Sequence, residues 1–166
     1  MNAADPEAPF RQTGWPGLRA RLFHTLFLIR RPMTLGVRGL IHDRAKNAVF
    51  LIRHTYVPGW QLPGGGVERD ETTGTALERE IHEECAIALT GPAALRSVHF
   101  NRQSSPRDHV LFYLVSDFNV VAPKRPDREI AEAGFFPVDR LPEDTTPATR
   151  RRIAEVFDGA PVSPYW

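Results

Sequence analysis

Glu80, Glu83 and Glu84 fall within one short stretch, "REIHEEC", downstream of three consecutive glycines, Gly64, Gly65 and Gly66. Successive residues of an α-helix turn by about 100°, so on a helix the three carboxylates share an arc of about 100°. Like charges three and four residues apart repel and lower helix stability. Leu77, Ile81, Cys85 and Ala88 occupy the adjoining arc, which must face a core. The carboxylates therefore border the buried stripe, whereas a merely solubilising charge run belongs opposite it. Hard oxygen ligands beside a packed face suit Mg²⁺ or Mn²⁺, and such a cation removes the repulsion. The glycines let the main chain approach an ion or a phosphate closely: a carbonyl can join the ion's shell and an amide can meet phosphate oxygen.

Other chemistries do not fit this stretch. No Gly-Lys-Ser/Thr follows the glycines, so they do not form a P-loop. No HExxH or paired CxxC occurs, and His82 projects nearly opposite Glu80, which argues against a His/Cys zinc site. The lone cysteine, Cys85, is expected as a small core residue. Arg79 lies four residues before Glu83, and Glu71 stands just ahead of the helix, so Arg79 can bridge these carboxylates and fix their rotamers. Taken alone, "REIHEE" is as well explained by a solvated helix face.

The elements that must hold these residues can be placed by pattern. The spacing predicts a helix over 72–88, capped by Thr72 or Thr73. Residues 34–43 and 48–54 predict strands, the second fully buried because "AVFLIRH" is continuously apolar except at its end. Residues 55–66 are turn-rich. Further strands are expected over 95–101, 109–118 and 134–141, and a last helix over 146–157 with Pro147 in its first turn. The apolar, arginine-studded stretch 17–31 predicts a helix packed on the core. A basic amphipathic helix on a membrane surface is the alternative, disfavoured because Pro32 ends it early. Strands on both sides of a long helix, with a closing helix, indicate a layered α/β domain.

The composition is that of an ordinary soluble globular chain. Its 166 residues are 42% hydrophobic and 25% charged, with a net charge of +1. That charge supplies no field to recruit nucleic acid, and no nucleic-acid partner is expected. No apolar run approaches a membrane span, and one cysteine fits a reducing, cytoplasmic setting.

The longer spacing resolves the ambiguity of the acidic stretch. Gly65, five residues, Glu71, seven residues, Arg79-Glu80-Ile81, one residue, Glu83-Glu84, one residue, then Ala86-Ile87 resembles the Nudix box, with eight of nine specified positions matched. Ala86 stands where the family usually has glycine, which bears on how the helix ends. The resemblance implies a Nudix-type α/β/α sandwich around a mixed β-sheet, spanning residues 17–158 between an irregular tail at 1–16 and another at 159–166. It implies a metal-dependent hydrolase cleaving the diphosphate linkage of a nucleoside diphosphate joined to another group, with a homodimer compatible. Glu80, Glu83 and Glu84, with the carbonyl of Gly64 or Gly65, would hold Mg²⁺ or Mn²⁺. Glu71 and Arg79 would hold the site in shape, and Glu83 or Glu129 would act as general base, Glu132 being the other candidate from the same loop. Arg53, Gly65 and Gly66 would meet the substrate phosphates. A catalytically silent nucleotide-sensing or partner-binding domain is the alternative, and an isoprenoid diphosphate isomerase a weaker one, because Cys85 lies on the packed side.

Overall fold

The computed structural model describes residues 32–166. The expected tail at 1–16 and the whole of the expected helix at 17–31 lie outside them. Among the described residues, eight strands and two helices follow in chain order: β1 (Thr34–Asp43), β2 (Ala48–His54), β3 (Trp60–Gln61), α1 (Thr73–Cys85), β4 (Ile87–Leu89), β5 (Ala94–Phe100), β6 (Asp108–Val115), β7 (Phe118–Val120), β8 (Ile130–Pro137) and α2 (Pro147–Phe157).

The strands form a mixed sheet in the order β3-β2-β1-β6-β5, with β8 on the remaining edge of β2. Among the described strands, only β1 and β6 run parallel, in register from Thr34↔Asp108 to Ile41↔Val115. A separate ribbon pairs β4 with β7. Each sheet face carries its own apolar layer. Val37, Ile41, Tyr113 and Val115 meet Ala76, Leu77, Ile81 and Cys85 of α1. On the opposite face Leu40, Leu51 and Phe112 meet Ile153 of α2. This is the α/β/α sandwich expected from the sequence.

One departure from regular pairing makes room for a site. β1 pairs with β2 only at His42↔Val49 and Asp43↔Ala48. The first half of β1 diverges, and the glycine segment fills the gap: Val37 N donates to Gly65 O at 2.9 Å and Gly39 N to Pro63 O at 2.9 Å. Gly64 has φ +135°, and a Cβ there would overlap the Val37 carbonyl, so the segment lies this close only because the residue is glycine.

The helix expected over 72–88 stops at Cys85. Thr72 caps its start by accepting from Thr75 N at 3.1 Å. Ala86 ends it by adopting the left-handed conformation, φ 53°, that a glycine takes without strain. Residues 87–89 then leave the helix as β4. β3, β4 and β7 are two or three residues long and were not expected; β8 begins at Ile130, earlier than the predicted 134. Residues 159–166, expected to be irregular, lie against β5. Phe100 N donates to Pro164 O at 2.8 Å, and Trp166 N to Phe100 O at 3.2 Å.

Candidate active site

Helix α1 carries its acidic face to the opening between β1 and β2. Glu84 is the most enclosed member, with 7% of its surface exposed. Its Oε2 accepts from Gly64 N at 2.6 Å, and its Oε1 stands 3.7 Å from His54 Nε2. Burial pushes the carboxyl up to about 7; the charges of Glu80 and Glu129 add to this, while the Gly64 N–H and Arg38 oppose it. Glu80 lies over Gly65, where a Cβ would overlap its carboxylate.

Arg79 ties the acids together. It donates to Glu80 Oε1 at 2.8 Å, to Glu71 Oε1 at 2.9 Å and to Gly66 O at 3.1 Å, and it lies 3.6 Å from Glu83 Oε2. Glu71 also accepts from Glu68 N at 2.6 Å. The Arg79 guanidinium holds the Glu71 carboxyl below the usual range, and Glu71 and Glu80 hold Arg79 protonated in return.

A cavity of about 320 Å³ opens on this face, lined by Glu80, Glu83 and Glu84 from α1 and by Asp127, Arg128, Glu129 and Ile130 from the approach to β8. Of the two loop acids considered from sequence, Glu129 faces the cavity. Glu132 instead pairs with Arg53, whose guanidinium also lies 5.9 Å from the Trp60 ring. Arg53, expected near phosphate, thus does not line the cavity. All three glycine carbonyls already accept one donor: Gly64 from Arg38, Gly65 from Val37 N and Gly66 from Arg79. A carbonyl oxygen keeps a second lone pair for a ligand.

Besides Arg128 on the cavity wall, three contributors escaped the sequence reading. His54, at a bulge in the β2–β8 pairing, is nearly buried against Glu84, and its Nδ1 has no partner among the described residues. Lys124 donates to Glu83 O at 2.8 Å and pairs with Asp127. Asp127 accepts from Glu129 N at 2.9 Å and Ile130 N at 2.8 Å, bonds that with Lys124 pull its carboxyl down to about 2. Only the Asp127 turn left a local signal, as an Asx turn following Pro126.

Among the described residues, no three His, Cys, Asp or Glu side chains converge in metal-binding geometry. Arg79 engages Glu71 and Glu80, and the Gly64 N–H engages Glu84. The donor set nevertheless fits a hard divalent cation. Five carboxylates and one arginine wall the cavity, and the buried Glu84 retains a charge cost that a cation would offset.

The NUDIX domain family model matches residues 32–157. The chain belongs to the NUDIX family. Its similarity to the protein called MutT4 in Mycobacterium tuberculosis is 31% identity over 101 residues, covering 60% of this chain and 41% of the relative. Similarity to an RNA pyrophosphohydrolase of Xanthomonas campestris is 39% over 49 residues, 30% of this chain and 24% of the relative. The chain therefore spans less than half the length of these curated relatives. The crystal structure of a MutT NUDIX hydrolase from Burkholderia pseudomallei superposes with a TM-score of 0.60 at 31% identity, covering 74% of this chain and 97% of that one. Among the described residues of this NUDIX domain, no helix is long and apolar enough to cross a membrane.

Proposed function

We propose that this NUDIX domain is a metal-dependent hydrolase that cleaves the diphosphate linkage of a nucleoside diphosphate joined to another group. The observation that carries the reading is the acidic cavity in which a buried, hydrogen-bonded Glu84 meets Glu80, Glu83 and Glu129. Glu80, Glu83 and Glu84, with a glycine carbonyl, would hold Mg²⁺ or Mn²⁺. When bound, the cation neutralises diphosphate oxygens and makes water more acidic.

The chain's own groups do the rest. Arg79 and Glu71 fix the rotamer of Glu80, and the Gly64 N–H fixes that of Glu84. Glu83, with 60% of its side chain exposed, and Glu129 face the cavity where water enters, and either can take the proton from the attacking water. Arg128 is the cationic side chain on the cavity wall and is placed to meet an incoming phosphate.

A turnover panel with Mg²⁺ tests this: ADP-ribose, a nucleotide sugar, a dinucleoside polyphosphate, an oxidised nucleoside triphosphate and an RNA 5′ end. Release of phosphate or a nucleoside monophosphate from at least one of them, lost in Glu84→Gln, is the expected result. Binding without turnover across the panel would instead favour a nucleotide sensor.

A further inference from the structure

Among the described residues, nothing covers the α1 face of the sheet to its end. Leu35, two residues before the buried Val37, lies on that face, with 44% of its surface exposed. The register continues the row across the sheet: Leu35 is opposite His109, His109 opposite Phe100, and Phe100 bridges to Tyr165. The His109 and Phe100 rings stack, centroids 5.4 Å apart and 29° between planes. Tyr165 follows at 6.3 Å from Phe100, 43% exposed, with the Arg102 guanidinium 4.6 Å from its ring centroid. The nearby Asp108 carboxylate is bonded to Thr34 and Asn101 at 2.7 Å each.

This row starts beside the candidate active site. Gly66 bridges to Gly36, next to Leu35, and Glu80 lies over Gly65. Neighbouring strands are about 4.8 Å apart, so from the glycine segment the row reaches Phe100 at about 14 Å and Tyr165 at about 19 Å. A mononucleotide with its phosphate at the glycine segment reaches His109 and stops short of Tyr165. At the far end Arg102 and Arg151 line a pocket of about 220 Å³ with Phe100 and Tyr165. His109 Nδ1 is buried with no partner among the described residues, so the stack on Phe100 is what holds that ring.

We propose that this row is a stacking platform for a second base, so that the site prefers nucleotide ligands carrying at least two nucleosides. The inference rests on the nucleotide-hydrolase reading for where the phosphate lies. Aromatic faces accept any base, and a guanidinium beside them meets the linking phosphate, which is the chemistry of single-strand recognition. Cationic charge at the far end complements that phosphate.

Equilibrium binding of AMP and of the 5′-phosphorylated dinucleotide pApA by the full chain, with Mg²⁺ present, tests the platform. Neither ligand contains a diphosphate, so the result does not depend on turnover. The wild type should bind pApA about tenfold more tightly than AMP. Combining Tyr165→Ala with Arg102→Ala, both at exposed or pocket-lining positions, should erase that advantage and leave AMP affinity unchanged, while Tyr165→Phe should preserve it. Equal affinities in the wild type, including no detectable binding of either ligand, would overturn the proposal. So would a pApA advantage that survives the double substitution. Loss of turnover on the panel above with the pApA advantage intact would instead overturn the hydrolase reading and leave the platform standing.

Discussion

The two faces of the sheet each bury charge, and they handle it in opposite ways. On the α2 face Arg152 is fully buried and pairs with Glu155 at 2.5 Å, one helical turn away. It also donates to His99, which is itself buried, and its guanidinium lies 5.4 Å from the Trp166 ring. Glu155 accepts in addition from Ser163 N at 3.0 Å. The charges balance, and the cluster fastens the C-terminal segment to the helix. On the α1 face Glu84 is almost as enclosed, yet among the described residues no arginine or lysine pairs with it directly: Arg38 bonds the Gly64 carbonyl, and Arg79 turns to Glu71 and to Glu80, which adds negative charge beside Glu84. A buried charge with a direct counter-charge is scaffolding; one without a direct counter-charge carries a cost that a bound cation can offset.

The contrast can be broken from either side. The largest expected effect is Glu155→Gln, which leaves Arg152 buried without its counter-charge and should cost about 3–5 kcal/mol in denaturant unfolding. Next is Glu84→Gln, which keeps the hydrogen bond from Gly64 but deletes an anionic ligand. Turnover should fall on the order of a hundredfold, while the metal-free fold should become more stable at pH 8. A loss of stability comparable with that of Glu155→Gln would erase the distinction between the two clusters.

The pH dependence has a definite sign. The Glu84 carboxyl titrates near 7 in the fold and near 4.5 in an ordinary setting, so the folded chain binds the extra proton between those values. Its contribution is therefore full below 4.5 and is lost as pH rises to about 7, by about 2–3 kcal/mol in the metal-free protein. Unfolding curves in chelator from pH 4.5 to 8 should show that decline in the parent and lack it in Glu84→Gln. Smaller still, Ala86→Gly should add about 1 kcal/mol by relieving the left-handed residue at the end of α1. An unchanged midpoint there would mean that Ala86 is not strained.

Local pattern carried much of this architecture. The buried stripe of α1, the continuous apolar run of β2 and the proline-started α2 follow from periodicity alone, and so does the shared arc of Glu80, Glu83 and Glu84. What it could not supply is non-local. Residues 127–130 wall the cavity only because β8 returns along β2, and Arg53 is drawn to Glu132 by that same pairing. Two- and three-residue strands have too few residues for an alternating pattern. The stop at Ala86 depends on a positive φ, which alanine does not advertise.

The central claim is that the surplus negative charge around Glu84 is there to receive a divalent cation. Thermal melting of the full chain at pH 7.5, with and without millimolar Mg²⁺ or Mn²⁺, tests it most directly, with Glu84→Gln measured in parallel. Metal should raise the parent's melting temperature by several degrees, at about 2–4 °C per kcal/mol for a chain of this size, and should move the variant far less. A parent indifferent to metal, or a variant that shifts as much as the parent, would contradict the claim.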